Sequence, residues 1–259
     1  MNRFAFLAFL PFLACALAAL PAQALVCKAA SGTERHTLVE LYTSEGCSSC
    51  PPAERWLSRF GSAGTDPRIV PVQFHVDYWD HGGWKDPFSD ARYTRRQQEL
   101  QKASGARFVY TPQVVVSGRD TPDWYRGVGV PLAGAQGPAL PARATIALDA
   151  AVAGDASIHG TVDAAVDGAP AKSLTLVVLA VQSGLANRVT AGENRGERLT
   201  HDFVARDMAS MPLSRAPGPV AFDFKPGARW IARDMSLAAF VQDAKTGEVL
   251  QAVTTGPCR

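Results

Sequence analysis

The sequence predicts an α/β N-terminal half followed by an all-β, sandwich-like C-terminal half. Three observations carry that expectation. Residues 36–76 read in the order strand, CxxC, helix, strand; residues 127–141 are rich in Gly, Pro and Ala and almost free of charge; and the remainder holds short strand-like runs at regular spacing. At 259 residues, 47% hydrophobic and 19% charged, the chain has globular composition, which excludes a disordered polyelectrolyte. A formal charge of +2 without a basic stripe excludes a dedicated nucleic-acid binder, so no nucleic acid is expected among its partners.

The N-terminus reads as an export signal. Arg3 supplies a short basic region, residues 4–20 are apolar, and Pro21, Ala22, Gln23 and Ala24 end in a small-x-small cleavage pattern, which places the cut after Ala24. An uncleaved anchor is the weaker reading, as is a lipoprotein signal at Cys15, where Phe12 stands in the place usual for Leu. No other stretch is apolar for long enough to span a bilayer, so a periplasmic or secreted protein is expected, with no stable membrane span after cleavage. The predicted organisation is a signal peptide over 1–24, an α/β domain over 25–126, a linker or surface loop over 127–143 and a β-rich domain over 144–259.

Residues 36–43 are branched and aromatic and read as a buried strand. Cys47, Ser48, Ser49 and Cys50 follow, then Pro51 and Pro52 open a helix with Trp56, Leu57 and Phe60 on one face and Gly61 as its stop. Pro51 is expected to push Cys50 away from α geometry. Residues 69–76 form a second strand, in which Pro71 is tolerable only near an edge or an end. Ser89 or Asp90 caps a helix running to Lys102, with Tyr93, Gln97 and Leu100 on one stripe and Gly105 at its end; residues 113–116 make a third strand. Beyond the linker, strands are expected over 145–152, 158–166, 174–181, 221–224, 237–241 and 249–254, with turns at Asp167-Gly168 and Thr246-Gly247.

In an oxidising compartment the remaining cysteines are either paired structurally or kept for redox work. Four cysteines allow three connectivities; placement favours a terminal staple, Cys27 with Cys258, and a local pair, Cys47 with Cys50. A dithiol two residues apart closes into a small ring that leaves its first sulfur exposed, so Cys47 is the expected nucleophile and Cys50 the resolving thiol. A nearby helix N-terminus would lower the thiolate pKa, although Pro51 delays the helix and sets Cys47 farther from the dipole.

These residues resemble the thioredoxin superfamily, in which strand, CxxC and helix are followed by a cis-proline strand that positions the substrate backbone. The resemblance covers residues 38–118 and implies that Thr111 and Pro112 are the cis-proline pair. Segments 40–53, 75–80, 83–88 and 109–113, with Gly192, Glu193, Asn194, Arg195 and Gly196, are similar to a bacterial secreted family catalogued as domain of unknown function 1223. That family implies no activity of its own.

Residues 75–88 are the other unusual stretch. His75, Asp77, Tyr78, Trp79, Trp84 and Lys85 form a possible substrate groove, and the bland alternative is a packed loop. No spacing matches a zinc signature, so neither metal nor cofactor is expected. For residues 192–196 a hairpin turn is favoured over a loop folded across the dithiol. Three functions follow: thiol-disulfide exchange with a protein or small thiol through Cys47 and Cys50, served by a redox partner in the envelope; a copper(I) or other metal module using Cys47, Cys50 and His75; or a noncatalytic envelope binding protein with a structural disulfide.

Overall fold

The computed structural model describes residues 24–61, 65–127, 140–166, 171–215 and 218–259. The expected signal peptide apart from Ala24, the lipobox cysteine Cys15, most of the expected linker and the turn at Asp167-Gly168 lie outside the described residues. In chain order the strands are β1 Leu25–Ala30, β2 Thr37–Thr43, β3 Ile69–His75, β4 Gln113–Val116, β5 Arg119–Asp120, β6 Thr145–Val152, β7 Ile158–Ala165, β8 Leu174–Gln182, β9 Leu185–Arg188, β10 Arg198–His201, β11 Val204–Pro212, β12 Val220–Phe224, β13 Met235–Asp243 and β14 Val249–Pro257. Helices α1 Pro51–Ser58 and α2 Ala91–Ser104 flank β3. The fold is thus mixed α/β and mostly strands.

One mixed sheet runs through both halves in the order β14-β13-β8-β11-β3-β2-β4-β5. A second sheet, β1-β6-β7-β12, takes its first strand from the N-terminal half. Hydrogen bonding therefore does not stop at the expected linker. Strand alternation explains the layers. Val39 and Leu41 of β2 pack on Ala53, Trp56 and Leu57 of α1, while Leu38 and Tyr42 join Tyr93 and Leu100 of α2 on the other face. Further along the sheet, Leu176, Val178 and Ala180 of β8 and Leu237, Ala239 and Val241 of β13 face Ile146, Leu148, Val162 and Phe222 of the second sheet, making the sandwich core. Disulfide Cys27–Cys258 ties β1 to the C-terminus inside that core.

Asp90 accepts from the Arg92 amide to cap α2, and Gly105, at φ 70°, closes it. Pro71 does not sit on an outer edge, because β3 lies between β2 and β11. It is tolerated for a local reason: β11 meets β3 only at Val204 and Gln73, so the sheet is parted beside Pro71 and no ladder bond is lost there. Strands β9, β10 and β11 are absent from the sequence expectation, and β9 and β10 supply residues of the site.

Candidate functional site

Strand β2 delivers the chain from the core at Thr43, and Ser44, Glu45 and Gly46 turn it into Cys47. Cys47 and Cys50 are joined by a disulfide, with Cα atoms 5.4 Å apart. Helix α1 begins at Pro51, and Cys50, its N-cap, has φ −79° and ψ −37°. Cys50 is therefore in α geometry despite the proline after it; the amides of Ala53 and Glu54 both donate to its carbonyl, at 2.9 and 3.2 Å, and hold it there. Pro51 and Pro52 have no N–H, so these two bonds leave the first turn without a free donor for a thiolate.

Neither sulfur is exposed: Cys47 and Cys50 are both at 0%. The expectation of an exposed first sulfur is thus overturned, and the cause is the hairpin of β9 and β10. Its loop lies across the dithiol. Asn194 Nδ2 donates to the carbonyls of Glu45 and Cys47 at 2.9 and 3.0 Å, and the Ser48 amide donates to Glu193 Oε2 at 2.9 Å. That backbone bond holds the Glu193 carboxyl below the usual carboxylate range. Gly192, at φ 74°, carries the loop over Trp84, where a Cβ would come within 3.2 Å of the Trp84 Cβ. The segment is a hairpin loop and also the cover of the disulfide.

A buried charged network lies beside the motif. His201, on β10, donates from Nε2 to Glu45 Oε1 at 2.9 Å, and its Nδ1 lies 3.3 Å from Glu54 Oε2 in a second ion pair and 3.3 Å from Gln73 Nε2. Burial alone would lower the His201 pKa, but the bonds to Glu45 and Glu54 outweigh it and push it up to about 10. Glu54 also accepts from Thr43 Oγ1 at 2.6 Å, and Glu45 accepts from Trp84 Nε1 at 2.9 Å and Asn187 Nδ2 at 2.8 Å. His75 donates from Nδ1 to Asp86 Oδ2 at 2.6 Å and accepts at Nε2 from Gln73. Burial pushes Asp86 up, yet His75 and the amides of Glu45 and Phe88 bring it below the usual range.

The residues of the possible groove separate. Trp84 reaches Glu45 and Trp79 Nε1 donates to Thr111 Oγ1 at 2.8 Å, so both indoles stand around the motif. His75 is buried with both ring nitrogens engaged. Asp77 and Tyr78 are tied to Thr94 and Gln97 of α2, and Lys85 is exposed. The Thr111–Pro112 bond is cis, at the entry to β4. Among the described residues no group of three or more His, Cys, Asp and Glu side chains is arranged to hold a metal ion. His201, Glu54, Asn187 and Gln73 escaped sequence reasoning. Only Glu54 carried a local signal, one turn into the helix after Cys50.

The family model described as protein of unknown function DUF1223 matches residues 38–242, which includes the CxxC, the cis-proline, the hairpin cover and His201. The chain belongs to the DUF1223 family. No curated protein matches it. Two solved structures are similar to this DUF1223 chain. A crystal structure of a protein from Agrobacterium tumefaciens has a TM-score of 0.54 and 21% identity, over 86% of this chain and 95% of that one. HBP35 of Porphyromonas gingivalis has a TM-score of 0.60 and 14% identity, over 86% of this chain and 75% of that one. At such identities the likeness is one of fold.

Proposed function

We propose that this DUF1223 protein is an exported thiol-disulfide exchange protein with a thioredoxin-like redox unit, acting on a protein or small-molecule disulfide in the periplasm or outside the cell. The observation that carries the reading is the closed Cys47–Cys50 pair at the junction of β2 and α1 in a chain that also holds a cis Thr111–Pro112 bond. Cys47 is the attacking thiol, Cys50 the resolving thiol, and Thr111 and Pro112 position the substrate. In the reducing direction the Cys47 thiolate attacks a substrate disulfide, the substrate S–S bond breaks, and one substrate sulfur leaves as thiolate. Cys50 then gives up its proton and attacks the Cys47 sulfur, which releases the second substrate sulfur and closes the Cys47–Cys50 disulfide. A dithiol reductant restores the starting state.

Local electrostatics favour that direction. A thiolate is stabilised by free amides at a helix start and by nearby cations. Here prolines occupy the first two helical positions, the next two amides serve the Cys50 carbonyl, and the two carboxylates Glu45 and Glu54 outnumber the one cation they share, His201. The disulfide is thereby the favoured state of the pair. Replacing Cys50 by Ser traps mixed disulfides with substrate on non-reducing gels, and replacing Cys47 abolishes both trapping and turnover. Failure of Cys50→Ser to trap any disulfide supports the second reading, an inert structural disulfide, which the complete burial of both sulfurs favours.

A further inference from the structure

Helix α2 buries a stripe of Tyr93, Gln97 and Leu100, and its middle member is polar. Gln97 is 1% exposed, and a buried amide is tolerated only where its hydrogen bonds are met, so their destination decides what it does. They go to one place, the turn into β4. Gln97 Nε2 donates to the Tyr110 carbonyl and to Gln113 Oε1, both at 2.8 Å, and its Oε1 accepts from the Tyr78 hydroxyl at 3.2 Å. The two acceptors stand on either side of Thr111 and Pro112, so one buried amide spans that pair.

Neighbouring groups fix the orientation of this amide. Gln113 Nε2 donates to Asp120 Oδ1 at 3.2 Å, and an ionised carboxylate only accepts, so Gln113 Oε1 is the atom that faces Gln97. The Tyr110 carbonyl likewise only accepts. Asp120 also accepts from the Tyr110 hydroxyl at 2.9 Å, which closes a ring of bonds from Gln97 through Gln113, Asp120 and Tyr110 back to Gln97. Thr111 depends on this frame. Among the described residues its N–H and carbonyl make no hydrogen bond, since it precedes the β4 ladder, which starts at Gln113. Its hydroxyl accepts from Trp79 Nε1 at 2.8 Å, which sets the side chain and leaves the main chain to be held by its neighbours.

We propose that Gln97 is a positioning residue for exchange: by holding Tyr110 and Gln113 it fixes the aim of the Thr111 main chain toward a substrate peptide, while itself staying buried. This role rests on the exchange reading above. An apolar residue would complete the stripe with Tyr93 and Leu100; the amide serves the turn instead.

The test compares two disulfides in single turnovers of the reduced protein, followed by alkylation of Cys47 and Cys50. One is the disulfide of mercaptoethanol, and the other is a linear peptide whose only cysteine carries the same mercaptoethanol cap. Each turnover closes the Cys47–Cys50 disulfide and releases two thiols, so the chemistry is shared and only the peptide offers a backbone to Thr111. Gln97→Met keeps the bulk of the side chain and removes both donations. It lowers the second-order rate constant for the peptide by about tenfold and changes that for mercaptoethanol disulfide by less than about twofold. Leu100→Ala, which opens a cavity on the same stripe and leaves the amide in place, keeps the wild-type ratio of the two rates. Equal losses on both disulfides, no loss on the peptide, or the same change of ratio in Leu100→Ala overturns the proposal. So does a wild type that reacts with mercaptoethanol disulfide and not with the peptide. A wild type that reacts with neither overturns the exchange reading itself, and the positioning role with it.

Discussion

The side-chain amide of Asn194 donates to the Cys47 carbonyl across 3.0 Å, joining residues 147 positions apart and closing the hairpin loop over the disulfide. Its second bond, to the Glu45 carbonyl, doubles the tie. Asn194→Ala removes both; the Cys47 carbonyl keeps the Cys50 amide at 3.2 Å, whereas the Glu45 carbonyl loses its side-chain donor, a cost of about 1–3 kcal/mol. The loop then opens more often. Reduction of Cys47–Cys50 by dithiothreitol, followed by thiol alkylation and mass measurement, is expected to be faster in Asn194→Ala than in wild type. An unchanged rate would mean that the cover does not control access.

His201 makes stability depend on alkaline pH. Its pKa rises from an ordinary 6.5 to about 10 on folding, so its contribution is fully present below pH 6.5 and disappears as pH climbs to about 10. Asp86 works at the other end: its lowered pKa contributes above its ordinary 3.8 and that share fades as the pH falls further. Urea midpoints measured from pH 3 to pH 10 check both limbs. Replacing His201 by Gln strands Glu45 and Glu54 without their cation, a loss of about 3–5 kcal/mol near neutrality. The difference from wild type should narrow toward pH 10.

Arg96 and Glu40 form a second buried pair, 2.7 Å apart, between α2 and β2. The guanidinium also donates to Gln242 and lies 4.6 Å from the centroid of Phe240. Arg96→Met leaves the buried Glu40 carboxylate without its cation, with the Tyr42 hydroxyl still donating to it at 3.0 Å, and costs about 3–5 kcal/mol by the same reasoning. Adding Glu40→Gln recovers much of that loss. The two denaturant midpoints, single against double variant, read the recovery directly.

Much of the fold was legible because its signals are local. The β2 run, the double proline after Cys50, the Asp90 cap and the Gly105 stop each act within a few residues, and the corresponding elements lie where expected. Strand β11 was invisible because its burial shows no sustained alternation, and β9 and β10 are only four residues each. The site suffered most from this. His201 meets Glu45 across 156 positions, a pairing that no spacing rule reports. The sulfur expected to be exposed is covered by a loop whose glycines, Gly192 and Gly196, equally fit a plain hairpin turn. Likewise, Pro71 predicts a position near an edge or an end, whereas the parting of the sheet that accommodates it depends on where β11 ends its pairing.

The terminal staple should be independent of the chemistry. Cys27 and Cys258 sit in the sandwich core, remote in sequence from the CxxC. Cys27→Ser/Cys258→Ser is expected to lose about 2–5 kcal/mol of stability. Thermal unfolding checks that loss, and the rate at which dithiothreitol opens Cys47–Cys50 at low temperature should stay at the wild-type value.

The most direct measurement is the equilibrium of Cys47–Cys50 in the intact protein against a series of dithiothreitol and glutathione redox buffers, with alkylated cysteines assigned by peptide mass. An exchange-active pair biased toward its disulfide predicts a reversible couple at the reducing end of the known exchange catalysts, about −270 mV. A pair that never equilibrates while the protein stays folded, or a couple near the oxidising end at about −120 mV, would contradict it.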